Sequence, residues 1–194
     1  MTDSTGRGRR TKRSSRRYVD VLIERAERTI PSGPGAPSQA ELSRSVSDAY
    51  YAVFHYVTDQ VAVHLMGSST TAECRAARNL LARSVTHTSL SNALRKLSSG
   101  PFAGRLVDGL SKQQGRLPEC PPETVDFSLI LMNLQKLRYA GDYDWNQVLT
   151  KREAIDAVED ARRAVELFDA IPAGDLGRRW FLSVLVCWPG LKDR

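Results

Sequence analysis

Residues 38–66 read SQAELSRSVSDAYYAVFHYVTDQVAVHLM, and this stretch decides the fold. It opens on Ser38 with Glu41 behind it, a capping-box pattern in which each side chain satisfies a backbone N–H of the other residue. No proline or glycine follows until Gly67. The run predicts a single helix of about 28 residues, roughly 42 Å long at 1.5 Å per residue. A helix of that length forms the spine of a small bundle.

One face of this helix is unusual. At ~100° per residue, Arg44, Asp48, Tyr51, His55 and Asp59 fall within a sector of roughly 80°. Val46, Ala49, Tyr50, Val53, Phe54, Val57 and Val61 occupy the other faces. A polar stripe on an apolar helix needs partners, because charged groups are rarely buried unpaired. Two readings are open. In the first, Arg44 pairs with Asp48 one turn away, Asp59 pairs with His55, and the stripe faces solvent or a second copy of the chain. In the second, the stripe is a phosphate site. Arg44 offers a fork of donors, His55 moves a proton near neutral pH, and Tyr51 stacks on a base or donates its hydroxyl.

Outward from the spine, apolar spacing marks further helices. Val19, Leu22, Ile23 and Ala26 share one face of a helix over residues 17–29. The prolines and glycines of 31–37 form a loop. A helix over 71–84 carries Leu80, Leu81 and Val85 as its apolar marks, and a shorter one follows over 89–97. Residues 98–122 are rich in glycine and proline and read as loops. A helix from Glu123 to Tyr139 is expected to break at Gly141-Asp142-Tyr143-Asp144. Thr150 and Glu153 form a second capping box, opening a helix to Ala170 with Ala154, Ala157, Val158, Ala161, Val165 and Phe168 on one stripe. No βαβ alternation occurs. The fold class is all-α, a four- to five-helix bundle over 17–172. Residues 173–194 add an apolar extension, with Trp180, Phe181 and Trp188, that packs on the core or on a dimer mate.

Composition narrows the function. Apolar residues make up 41% of the 194, enough for a real core. The net charge is +6, and residues 1–17 carry all of it. Arg7, Arg9, Arg10, Lys12, Arg13, Arg16 and Arg17 stand there against Asp3 alone, while the remainder is balanced at 21 basic and 21 acidic residues. Residues 1–16 therefore read as a disordered basic tail. Either it is only solvated, or it binds phosphates nonspecifically through counterion release. Cys74, Cys120 and Cys187 form no zinc-like spacing and fit a reducing, cytoplasmic setting. Cys74 and Cys187 read as small core fillers. The apolar run at 180–188 is far short of the ~20 residues that span a bilayer, and no apolar stretch follows the basic start as in a secretory signal. Glycine-rich phosphate loops, G-x-S-x-G and H-E-x-x-H are absent.

Three segments together resemble the HEPN domain family. Ser47-Asp48-Ala49-Tyr50-Tyr51-Ala52-Val53-Phe54-His55 is similar to the Ser-x-Ala-Tyr-Tyr-Ala-x-Phe-His helix of one bacterial branch. Arg138-Tyr139-Ala140-Gly141-Asp142-Tyr143-Asp144 is similar to that branch's Arg-x-x-Ala-Asp-Tyr-Asp turn, and Thr86-His87 before a short helix is a weaker match. The resemblance covers residues 18–172. It implies a helical bundle, often dimeric, associated with RNA or nucleotides. Toxin–antitoxin or defence effectors, metal-independent RNases and noncatalytic modules working with a nucleotidyltransferase all occur among such proteins. The RNase members carry Arg, four to six residues, then His. Here Arg83 and His87 are separated by three residues and Arg44 and His55 by ten, so catalysis is left open.

If the chain cleaves RNA, His55 and Arg44 are the expected catalytic pair. Tyr51, Asp48, His87, Asp142, Tyr143 and Asp144 are the expected ligand-binding set. No cofactor or metal is expected, although Asp142 and Asp144 admit two readings, a divalent-ion pair or a turn closed by Asp side chains. His87 likewise either binds phosphate near a helix start or makes a local hydrogen bond.

Overall fold

The computed structural model describes the backbone of residues 8–31, 36–98, 118–144 and 148–191, with side chains from Arg16 to Cys187 within those ranges. Every element among the described residues is helical. In chain order they are α1 (Gly8–Thr29), α2 (Gln39–Met66), α3 (Ala72–Ser84), α4 (His87–Ser98), α5 (Pro122–Tyr143), α6 (Lys151–Ala170) and α7 (Leu176–Leu191). The fold class is all-α, as the periodicity predicts.

Helix α2 is the spine. It packs against α1, α3, α5, α6 and α7, while α4 lies against α5 and α7. Both capping boxes form. Ser38 Oγ accepts from Glu41 N and Glu41 accepts from Ser38 N, and the Thr150–Glu153 pair repeats the pattern. From α2 the core takes Leu42, Val46, Ala49, Tyr50, Val53 and Val57, all at most 2% exposed. Phe127 of α5, Phe168 of α6 and Phe181 of α7 meet with ring centroids 5.1–6.2 Å apart, joining three helices at one aromatic junction. The C-terminal apolar run thus lies in the core of its own chain, with Phe181, Leu182, Val184 and Leu185 buried.

Four details differ from expectation. Helix α1 starts at Gly8, nine residues earlier than the apolar pattern indicates, so the backbone of 8–16 is helical. Arg and Lys are good helix formers, and Arg16 donates to Asp20 at 3.1 Å and to Asp169 of α6 at 2.5 Å. Residues 1–7, with Arg7, lie outside the described residues, as do 99–117 of the expected loop region. Helix α5 does not break at Gly141 but runs on to Tyr143. A Cβ at Gly141 would sit 2.8 Å from Leu149 Cδ1 and 3.1 Å from Ser43 Oγ, so this glycine permits close packing instead of a turn. Helix α3 turns a charged residue inward. Leu80 is 71% exposed, whereas Arg78 is buried and donates to Gly67 O and Ser69 O at 2.9 and 2.7 Å, closing the α2–α3 corner. Finally, Cys187 is exposed and Cys74 half-buried, so neither fills the core; Cys74 Sγ bonds Met66 O instead.

A second buried cation ties the C-terminal end of α6 to α7. Arg178, 4% exposed, donates to Phe168 O at 3.1 Å, to Ile171 O, and to Gln60 Oε1 at 2.9 Å, and its guanidinium lies 4.4 Å from the Phe168 ring centre. A cation at the carbonyl end of a helix complements the helix dipole.

Candidate functional site

The polar stripe of α2 divides into two environments. At its N-terminal end, Asp48 has a side chain only 4% exposed. Arg25 of α1 grips both its oxygens, with Nε at 2.6 Å and Nη2 completing the fork, and Arg44 approaches at 3.6 Å. Asp48 is thereby committed to holding α1 on α2, and the expected Arg44–Asp48 pair is present. Arg44 lies eleven residues before His55, roughly 16 Å along the helix axis, and points its guanidinium into this ion cluster.

One to two turns further on, the stripe enters an aromatic cluster built by four helices. Tyr51 of α2 is its middle. Its ring stacks on His55 at 6.0 Å and meets His87 of α4 edge-on at 6.0 Å. The Arg138 guanidinium of α5 lies 5.0 Å from the Tyr51 ring centre, 5.6 Å from Tyr50 and 6.0 Å from Tyr143, within cation–π range of all three. Tyr18 of α1 meets His55 at 5.8 Å, and Tyr139 meets Tyr143 at 5.0 Å. Tyr18, His55, Tyr139 and Tyr143 are exposed, so the cluster presents rings to solvent.

The polar atoms of the cluster are held from below. Asp142 accepts from Arg138 Nε at 3.0 Å and from Ser47 Oγ at 3.0 Å, which fixes the guanidinium against α2. His87 rests on Phe54 with ring centres 4.1 Å apart, and its Nδ1 shares a 2.6 Å hydrogen bond with the Tyr50 hydroxyl. Tyr50 is 1% exposed, and burial pushes its pKa well up, so the phenol stays neutral. Desolvation pulls the His87 pKa down, and the neighbouring charges of Arg138 and His55 add to this. His55 is also pulled down by partial desolvation. Both imidazoles are therefore largely neutral at pH 7, and His55 retains a lone pair for accepting a proton.

The structure thus brings Tyr51, His55, His87, Asp142 and Tyr143 together, and it separates Arg44 and Asp48 from them. Asp144 caps the C-terminus of α5, its N–H donating to Ala140 O at 3.1 Å. Asp142 has both oxygens engaged, and among the described residues no three His, Cys, Asp or Glu side chains gather as a metal-holding group. His64, off the stripe, bonds Ser183 at 2.9 Å. Of the expected nucleic-acid tail, Arg16 is taken up by Asp20 and Asp169, and Arg17 is exposed. The side chains of Arg9, Arg10, Lys12 and Arg13 lie outside the described residues.

Sequence reasoning missed Arg138 as a site residue and read Tyr50 and Phe54 as apolar-face residues only. Arg138 stands at the head of the Arg-x-x-Ala-Gly-Asp-Tyr-Asp segment, and its i, i+4 spacing to Asp142 was the available signal. In the comparisons with known proteins, no protein-family model, no curated protein and no solved structure matches this chain.

Proposed function

We propose that this chain is a HEPN-like protein that binds single-stranded RNA or a nucleotide at the Tyr51–His55–His87–Arg138 cluster. The convergence of three segments distant in sequence supports this reading: 47–55, 86–87 and 138–143 supply nearly every ring and charge of one exposed cluster. Aromatic rings accept bases by stacking regardless of sequence, and a guanidinium among them takes a phosphate. Such a protein fits an effector or a noncatalytic module of a toxin–antitoxin or defence system, with a nucleotidyltransferase as one kind of partner.

The pair of neutral imidazoles favours a more specific form, metal-independent RNA cleavage. The ribose 2′-hydroxyl would attack the adjacent phosphate, forming a 2′,3′-cyclic phosphate and releasing the 5′-oxygen of the next nucleotide. His55, open to solvent, would take the 2′-hydroxyl proton and return it, through water, to the leaving 5′-oxygen. Arg138, not Arg44, would offset the charge on the phosphorane, because Arg44 is too far along α2 to share a phosphate with His55. In the tautomer with its proton on Nε2, His87 accepts from Tyr50 at Nδ1 and offers Nε2–H to a phosphate oxygen. The same exposed tyrosines, Tyr18, Tyr139 and Tyr143, also fit a noncatalytic homodimer, for which light scattering at micromolar concentration is the check.

The test is incubation of the purified chain with total RNA, with and without EDTA, beside His55→Ala and Arg138→Ala. The expected result is EDTA-resistant cleavage to cyclic-phosphate ends that falls by ~10²-fold or more in His55→Ala. RNA binding without cleavage would retain the noncatalytic form. Neither binding nor cleavage would end the proposal.

A further inference from the structure

Next to the cluster, α4 and α5 bound an open groove of about 660 Å³. Its α4 wall includes Ser91, Asn92 and Arg95, and its α5 wall Gln135, Lys136 and Tyr139. The spacings repeat at three and four residues on both helices, so each wall is one continuous helix face. The start of α4 lies beside the last turns of α5, since His87 and Arg138 both lie against Tyr50. Along α4 the groove leads away from the cluster, from Thr88 toward Arg95. Tyr139 belongs to both, lining the groove and contacting Tyr143 of the cluster. The remaining lining is Thr88, Met132, Ala140 and Asp144, so the groove carries one carboxylate at its Tyr139 end beside two exposed cations, Arg95 and Lys136.

We propose that this groove is the track of the RNA sugar–phosphate backbone, so that the ligand is a single strand of several nucleotides and not a mononucleotide. The inference rests on the RNA reading of the adjoining cluster. From His87 to Arg95 the chain climbs eight residues, about 12 Å, which adds room for on the order of two nucleotides beyond the base stacked at Tyr51. Lys136 and Arg95 meet successive phosphates, and the amides of Asn92 and Gln135 with the Ser91 hydroxyl meet sugar and phosphate oxygens. This division of labour, rings for one base and a cationic groove for the backbone, is how single strands are bound without reading sequence.

The test measures fluorescence anisotropy of a labelled single-stranded RNA 12-mer and competition by AMP, using the full chain and the double variant Arg95→Gln/Lys136→Gln. Both side chains are exposed, so the variant folds, and circular dichroism checks that it does. The expected result is a 12-mer affinity lowered by about tenfold, with the log–log salt slope reduced by ~1.4, about 0.7 for each of two lost phosphate contacts. AMP affinity stays at the wild-type value. An unchanged 12-mer affinity and slope, with AMP still bound, would overturn the groove and leave the cluster reading intact. Loss of both RNA and AMP binding in Tyr51→Ala, with the double variant weakened for the 12-mer alone, would support both. Binding of neither ligand by wild type would sink the cluster reading and the groove with it. Equal displacement of the 12-mer by polyglutamate of the same length would overturn RNA as the occupant in favour of an acidic protein segment.

Discussion

His87 is joined to the core by one short hydrogen bond to Tyr50, and its titration is governed by its burial and by the charges of Arg138 and His55. Tyr50 stays neutral because it is buried, while burial, Arg138 and His55 all disfavour the imidazolium of His87. A folded-state pKa below the ordinary 6.5 means that the unfolded chain binds the proton more readily. The associated stability is complete above pH 6.5 and is lost as the pH falls through the depressed folded value. Urea melts at pH 7.5 and pH 5 should show wild type losing more stability on acidification than His87→Gln. An equal loss in both would contradict this. The cations of the site separate in the same way. Arg138→Ala should lower RNA affinity by about tenfold or more, whereas Arg44→Ala should leave it nearly unchanged. The polar face of α2 was legible in the sequence because it depends only on helical period. Its division was not, because Arg25 and Arg138 reach α2 from helices whose docking no local pattern encodes.

At the scale of the element, glycines record where helices touch. A Cβ at Gly177 would meet Glu119 O at 2.1 Å and Pro121 Cδ at 2.8 Å, and a backbone carbonyl cannot swing aside. Gly177→Ala should therefore cost about 1–3 kcal/mol. Gly174→Ala, with nothing within 4 Å of the added carbon, should stay within about 0.5 kcal/mol of wild type. Urea denaturation decides this, and equal effects of the two would show that α7 does not pack on residues 119–121 in this way. Capped helices such as α2 and α6 could be read from Ser38–Glu41 and Thr150–Glu153, since a capping box is local chemistry. Gly141 misled for the opposite reason. Glycine marks both turns and close approaches, and only the positions of Leu149 and Ser43 distinguish them. Helix α3 misled because its inward contact is Arg78 on backbone carbonyls, which leaves no apolar signature.

At the scale of the whole molecule, the excess charge is concentrated at one end of the sequence. The net +6 sits in residues 1–17, while the candidate site lies among α1, α2, α4 and α5. Among the described residues the buried core begins at Val19, and deleting residues 1–15 spares it together with Arg16 and its bonds to Asp20 and Asp169. The melting temperature should shift by no more than about 2–4 °C, and RNA affinity should fall at low salt but little at high salt. A fall of many degrees would show that the first turns of α1 carry part of the fold. No helix among the described residues is long and apolar enough to cross a membrane. Photochemical crosslinking of the full chain to a single-stranded RNA, with the modified residues mapped by mass spectrometry, tests the central claim most directly. The account predicts adducts at Tyr51, His55 or Tyr143, lost when Arg138 is replaced by Ala. Adducts confined to residues 1–17, unaffected by that replacement, would show that the tail alone binds RNA and that the aromatic cluster does not.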